Sequence, residues 1–183
     1  MKVVAVLGSP HTDGPSSTIA KEVLRGAREA GHEVVVYNIS EMNVKGCMAC
    51  GYCKKNYCDC IQNDDLKPYW KDLHEAGALI VAAPNYCSQI CGPMITYMNR
   101  HYCLVSGLPG KPPVRVHPGI KLIGVFSQGY DKADAYLDTY KWYLGDFENR
   151  DMVLQDILIH AGNAPYDAGS ELMQRAYALG KNL

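Results

Sequence analysis

The sequence predicts an α/β protein whose mostly parallel sheet carries helices on both faces. Two patterns predict it. Five short apolar runs alternate with five longer segments of helical period. The first run ends in a turn rich in glycine and hydroxyl residues that opens the first helix, where ligands of such sheets bind. A length of 183 residues suits one domain around one core, spanning 1–183.

The strands are expected at Val3–Leu7, Glu33–Tyr37, Ala78–Ala83, Lys121–Phe126 and Val153–His160. Helices are expected at Ser16–Ala30, Leu66–Glu75, Pro93–Val105, Ala133–Asn149 and Ser170–Lys181. Ser16 or Ser17 is a candidate N-cap of the first helix, and Gly31 follows its end. Two segments fall outside the alternation. Residues 43–65 form a cysteine-rich insertion after the second strand, and residues 107–118 form a loop with prolines at Pro109, Pro112, Pro113 and Pro118. Connections this long in a compact domain generally serve function.

A formal net charge of −1, with no run of five like charges, excludes the electrostatic footprint of a nucleic-acid or anionic-membrane binder. No stretch approaches the ~20 apolar residues that span a bilayer, and the apolar run at Met1–Gly8 is too short for a signal peptide. A soluble cytoplasmic protein with neither nucleic-acid nor membrane partners is expected.

The first strand leads into Gly8-Ser9-Pro10-His11 and reaches the helix at Ser16-Ser17-Thr18. Open backbone N–H groups and small hydroxyls at a helix N-terminus cradle a phosphate. The loop is neither a dinucleotide Gly-x-Gly-x-x-Gly nor a Gly-x-x-x-x-Gly-Lys-Ser motif, and it holds no lysine, so a terminal monophosphate held by neutral donors fits best. Plain capping is the ordinary alternative. The loops after the third and fourth strands, Pro84-Asn85-Tyr86-Cys87-Ser88 and Ser127-Gln128-Gly129-Tyr130, each offer an aromatic ring among small polar residues, suited to a flat heteroaromatic group.

Gly8-Ser9-Pro10 with Ser16-Ser17-Thr18, Ala83-Pro84-Asn85-Tyr86, Pro93-Met94 and Ser127-Gln128-Gly129 resemble, in order and spacing over most of the chain, the NADPH-dependent FMN reductase branch of the flavodoxin-like superfamily. The resemblance implies a three-layer sandwich around a five-stranded parallel sheet of order 2-1-3-4-5. It also implies FMN, with its phosphate against Ser9, His11, Ser16, Ser17 and Thr18. The ring would lie between Pro84, Asn85, Tyr86, Cys87 and Ser88 on one side and Ser127, Gln128, Gly129 and Tyr130 on the other. Ser17 stands where the family often has Asn, and Gln128 where it often has Gly. A homodimer or homotetramer is expected by the same analogy.

Of eight cysteines, Cys47, Cys50, Cys53, Cys58 and Cys60 fall within fourteen positions. Cys47-x-x-Cys50-x-x-Cys53 with either Cys58 or Cys60 supplies four thiolates, spaced to hold a four-iron four-sulfur cluster. The arrangement resembles that of the iron-sulfur flavoproteins. Zinc suits four thiolates equally, and metal-free thiols occur in relatives. The resemblance, counted back from Asp64-Asp65, implies Cys60 as the fourth position of the family pattern, whereas the shortest spacing that an iron-sulfur site tolerates favours Cys58. Lys54 and Lys55 would offset thiolate charge or serve as ordinary loop lysines.

His11 could serve the phosphate loop and His160 the ring, while His32, His74, His101 and His117 read as structural. Tyr136, Tyr140, Tyr143 and Phe147 share one helical face, packed on the sheet or on another subunit. The function expected is an oxidoreductase that takes a hydride from NAD(P)H onto FMN and passes electrons to a quinone, a flavin or a protein, with no catalytic side chain required. The rivals are a one-electron carrier with no NAD(P)H turnover and a zinc-stapled domain without FMN.

Overall fold

The computed structural model describes residues 1–183. Five parallel strands run in the order β2 (Glu33–Asn38), β1 (Lys2–Leu7), β3 (Ala76–Tyr86), β5 (Lys121–Gln128) and β6 (Val153–Ala161), the predicted order, with a two-residue β4 (Gln89–Ile90) paired antiparallel to the end of β3. Side chains alternate across β1. Val3, Ala5 and Leu7 face a core shared with α1 (Pro15–Glu29) and α6 (Glu171–Lys181). Val4 and Val6 face a larger core shared with α3 (Lys67–Glu75), α4 (Gly92–Arg100) and α5 (Leu137–Glu148). A short α2 (Tyr52–Asn56) lies within the cysteine-rich insertion.

Several expected boundaries move. The strand expected to end at Ala83 continues to Tyr86, because Asn85 and Tyr86 find partners in Ile90 and Gln89. The helix expected to reach Val105 ends at Arg100 and tightens into a 3-10 turn over His101–Leu104, whose apolar spacing carries on the helical pattern. The helix expected from Ala133 starts only at Leu137. The N-cap of α1 is Gly14, with Pro15 in the first helical turn, in place of Ser16 or Ser17. Gly31, at φ +83, ends that helix in the left-handed conformation that glycine adopts freely.

The aromatic face of α5 packs inward: Tyr140, Tyr143 and Phe147 are fully buried, and Tyr140 stacks on Phe126 of β5 at 4.2 Å between ring centroids. Beside them His101 accepts or donates to Tyr69 Oη through Nε2 at 2.9 Å, and Tyr69 Oη lies 2.5 Å from Tyr97 Oη. Burial holds the His101 ring well below the usual histidine range, so it is a neutral core residue.

Helices α1 and α6 cross with their backbones in contact. A Cβ on Gly180 would lie 1.8 Å from Val23 O, and one on Gly26 would lie 2.2 Å from Tyr177 O. Because rigid backbone is the obstacle, Gly180→Ala should destabilise the fold by about 1–3 kcal/mol. Gly145, inside α5, has open space where its Cβ would be, so Gly145→Ala should stabilise by about 0.5–1 kcal/mol through helix propensity. Urea midpoints of the two variants should therefore move in opposite directions; equal shifts would refute the crossing argument.

Candidate functional site

The carboxyl ends of the parallel strands meet along one edge of the sheet, where open α/β sheets bind ligands. Leaving β1, the chain turns at Gly8, whose amide donates to Ala82 O at 2.9 Å. A Cβ there would sit 2.1 Å from Met94 Cγ, so only glycine lets this loop pass over the start of α4. Ser9 Oγ donates to His11 O and accepts from the His11 amide, both at 3.1 Å, which fixes the next turn.

At the start of α1, Gly14 offers no capping side chain and the first turn holds no acidic residue. The first amide to bond back is that of Thr18, to Gly14 O at 2.9 Å. The amides of Ser16 and Ser17 are left without intrahelical acceptors, and their side chains are buried. An uncapped, acid-free helix start of this kind favours an anion. Lys21 reaches Thr12 O at 2.6 Å and stands 3.7 Å from Asp13, placing a cation at the loop rim. Lys21 was not among the residues expected from the sequence, although its position one helical turn beyond Thr18 was the available signal.

The second wall is the hairpin made by β3 and β4. Its two-residue turn, Cys87-Ser88, has φ of +51 and +64, a type I′ geometry usually given to Asn-Gly. Holding two non-glycine residues there costs roughly 1–3 kcal/mol each, strain of the kind found at ligand clamps. The third wall is the backbone of Ser127–Gly129. The Gln128 side chain turns away from it, donating to Tyr130 O at 3.2 Å and Lys132 O at 2.6 Å and accepting from Tyr140 Oη at 2.7 Å. Gln128 therefore shapes the loop and leaves the backbone to meet a ligand.

Between these walls lies an open cleft of about 240 Å³, lined by Pro84, Asn85, Tyr86, Ser127, Gln128 and Gly129 together with Pro15, His160 and Gly162. Asn85 Nδ2 is buried there beside the Tyr140 hydroxyl but makes no well-formed hydrogen bond, a donor suited to a ligand acceptor. His160 donates from Nε2 to Ala164 O at 2.8 Å and packs edge-on against Tyr166, so its ring is held firmly at the floor. Of the other residues assigned to the ring, Cys87, Ser88 and Tyr130 are exposed at the flanks and do not line the cleft. Ser9 and His11 lie in the adjoining loop, and Ser16, Ser17 and Thr18 in the first turn of α1.

The cysteine-rich insertion is stapled across its base by the acidic pair. The Asn43 amide donates to Asp65 at 2.7 Å, while Asp64 accepts from the amides of Lys45 at 3.1 Å and Leu66 at 3.2 Å and pairs with the Arg100 guanidinium. The Arg100 pair and these amides hold the Asp64 carboxyl below the usual range despite its burial. Left-handed residues Ala49, Gly51 and Tyr57 bend the chain around α2. The result is a small enclosed cavity lined by Cys47, Cys50, Cys53 and Cys60 and backed by Arg100 and Cys103. Cys58 does not line it.

Burial pushes the Cys53 thiol up and the Cys103 thiol up to about 12. No three His, Cys, Asp or Glu side chains converge closely enough for a single metal ion. Lys54 donates to Tyr102 O at 2.6 Å and to Val105 O, and lies over the Tyr102 ring at 3.9 Å, so its ammonium ties the insertion to the 3-10 turn. Arg115, from the proline-rich loop, reaches Asp59 at 2.8 Å and Asp59 meets His74 at 2.9 Å, fastening the insertion on its other side. Helix α4 links the two sites: Met94 underlies Gly8 at one end, and Arg100 lines the cysteine cavity at the other.

Residues 1–138 match the family described as NADPH-dependent FMN reductase. An iron-sulfur flavoprotein of Archaeoglobus fulgidus is 32% identical over 100 residues, covering 55% of this chain and 45% of that protein. One of Methanosarcina thermophila is 34% identical over 86 residues, covering 47% and 44%. The matched region thus spans about half the length of these curated relatives or slightly less. Among solved structures, an NAD(P)H:quinone oxidoreductase from Methanothermobacter marburgensis superimposes with TM-score 0.71 at 18% identity, over all of this chain and 95% of its own. A flavodoxin from the domain Archaea does so with TM-score 0.60 at 16% identity, over all of this chain and 95% of its own. At such identities the likeness establishes a flavodoxin-like fold. No helix is long and apolar enough to cross a membrane.

Proposed function

Because the chain belongs to the NADPH-dependent FMN reductase family, we propose that it binds FMN in the cleft and oxidises NAD(P)H. In this reading Cys47, Cys50, Cys53 and Cys60 would hold a four-iron four-sulfur cluster, which would supply one-electron transfer. The observation that carries it is the open N-terminus of α1 set beside a cleft with the buried Asn85 donor. The cluster part is supported by four cysteines sharing one cavity and by relatives named iron-sulfur flavoproteins.

When bound, FMN supplies the exchange between two-electron and one-electron chemistry. The chain's own groups supply position. The Ser16 and Ser17 amides and the dipole of α1 would hold the phosphate, the Asn85 amide would offer a donor to the ring, and the half-exposed Tyr86 stands at the cleft wall. No side chain in the cleft needs to transfer a proton for this chemistry. A quinone is the acceptor class in keeping with the quinone oxidoreductase that shares the fold, and the protein works as a homodimer or homotetramer.

The test is anaerobic purification followed by an absorbance spectrum, assays for iron, sulfide and zinc, and NADPH oxidation with a soluble quinone. Flavin bands, about four irons per chain and steady NADPH turnover are expected. Flavin and iron without turnover would leave a one-electron carrier, and a colourless protein that takes up no FMN would overturn the reading.

A further inference from the structure

Arg100 is fully buried at the end of α4, and its partner Asp64 has a side chain only 2% exposed. Withdrawing an ion pair from water is tolerated when its remaining donors and lone pairs are used. Asp64 meets that condition through the Lys45 and Leu66 amides. Arg100 does not. Its Nη1 donates to Asp64 and to Lys45 O at 2.8 Å, but Nε and Nη2 are buried without a partner. Leaving two guanidinium donors unmade is expensive. The cavity that Arg100 lines is the cysteine cavity, no carboxylate lines it, and Cys60 lies close enough to feel the guanidinium charge.

We propose that Arg100 is the tuning residue of the metal centre: its Nε and Nη2 donate to sulfur on the Cys60 side, and its fixed charge favours the reduced centre. The proposal rests on the cluster reading above. Reduction adds one electron to a centre already ringed by four thiolates. Because Arg100 lines the cavity and Asp64 does not, the pair turns its positive end to the centre, and this together with N–H···S bonds stabilises the reduced form and raises the potential. Arg100 is thus a positioning and electrostatic residue that does not ligate metal.

The test uses two variants of the full chain, reconstituted without oxygen and titrated against ambient potential by electron paramagnetic resonance. Arg100→Lys keeps a cation for Asp64 but deletes both free donors. Arg100→Met combined with Asp64→Asn removes both charges without stranding either. Both should retain the iron of the wild type. At the potential that half-reduces the wild type, the reduced-to-oxidised ratio should fall at least tenfold in the double variant, about 59 mV for a one-electron couple, and by less in Arg100→Lys. Titration of both variants with the wild type would overturn the proposal. Failure of the wild type itself to take up iron would remove the cluster reading on which it rests, a distinct result seen without any variant.

Discussion

Cys60→Ala should purify without oxygen carrying little of the wild-type iron and sulfide, whereas Cys58→Ala should keep both. Spacing along the chain leaves the two residues equivalent as a fourth ligand, but folding separates them. Cys60 lines the cavity with Cys47, Cys50 and Cys53, on the side where Arg100 brings its charge, while Cys58 lies outside. Each iron of a cubane takes one thiolate, so loss of one cavity cysteine strips or degrades the cluster. Flavin content should stay the same in both variants, because the anion loop at Ser9–Thr18 and the cleft draw no residue from the insertion. Iron, sulfide and flavin assays on the same samples decide the matter. Iron lost from Cys58→Ala and kept in Cys60→Ala would reverse the ligand assignment.

The same contrast shows what could be read in advance and what could not. Strand order and the two cores follow from alternation of the kind seen in Val3 to Leu7, since a period of two fixes which side chains share a face. The cleft loops were legible because ligands gather at the carboxyl ends of parallel strands, which points to Pro84–Tyr86 and Ser127–Gly129 without any contact being known. The β3 extension was not, because Pro84 reads as a stop until β4 is seen to pair with Asn85 and Tyr86. His160 was legible only as an option, since its place at the cleft floor depends on how the chain after β6 returns to Ala164. Arg100 could not be found at all. Nothing local joins residue 100 to residue 64, and the pair exists only because α4 ends where the insertion begins and closes.

Gly14→Asp should weaken FMN binding on the order of a hundredfold while leaving the fold at least as stable, and Gly14→Asn should keep the fold and lose far less affinity, through competition for the amides alone. Gly14 is the N-cap of α1 in extended backbone, where either side chain can accept an amide hydrogen bond that glycine leaves unmade. Its Cβ would approach His11 O at 3.2 Å, a tight fit that both variants share. What differs is charge. A carboxylate at the cap complements the helix dipole and helps the apoprotein fold, yet it competes with the phosphate for the Ser16 and Ser17 amides and repels it. Two unit charges about 4–5 Å apart at an effective dielectric constant near 20 interact by roughly 3–4 kcal/mol, which corresponds to at least the hundredfold loss expected. Isothermal titration of apoprotein with FMN, run beside thermal unfolding, reads the two effects separately. Equal affinity in the two variants would mean that the phosphate does not sit on this helix. Riboflavin, which lacks the phosphate, supplies the internal control: its weaker binding should be nearly the same in both.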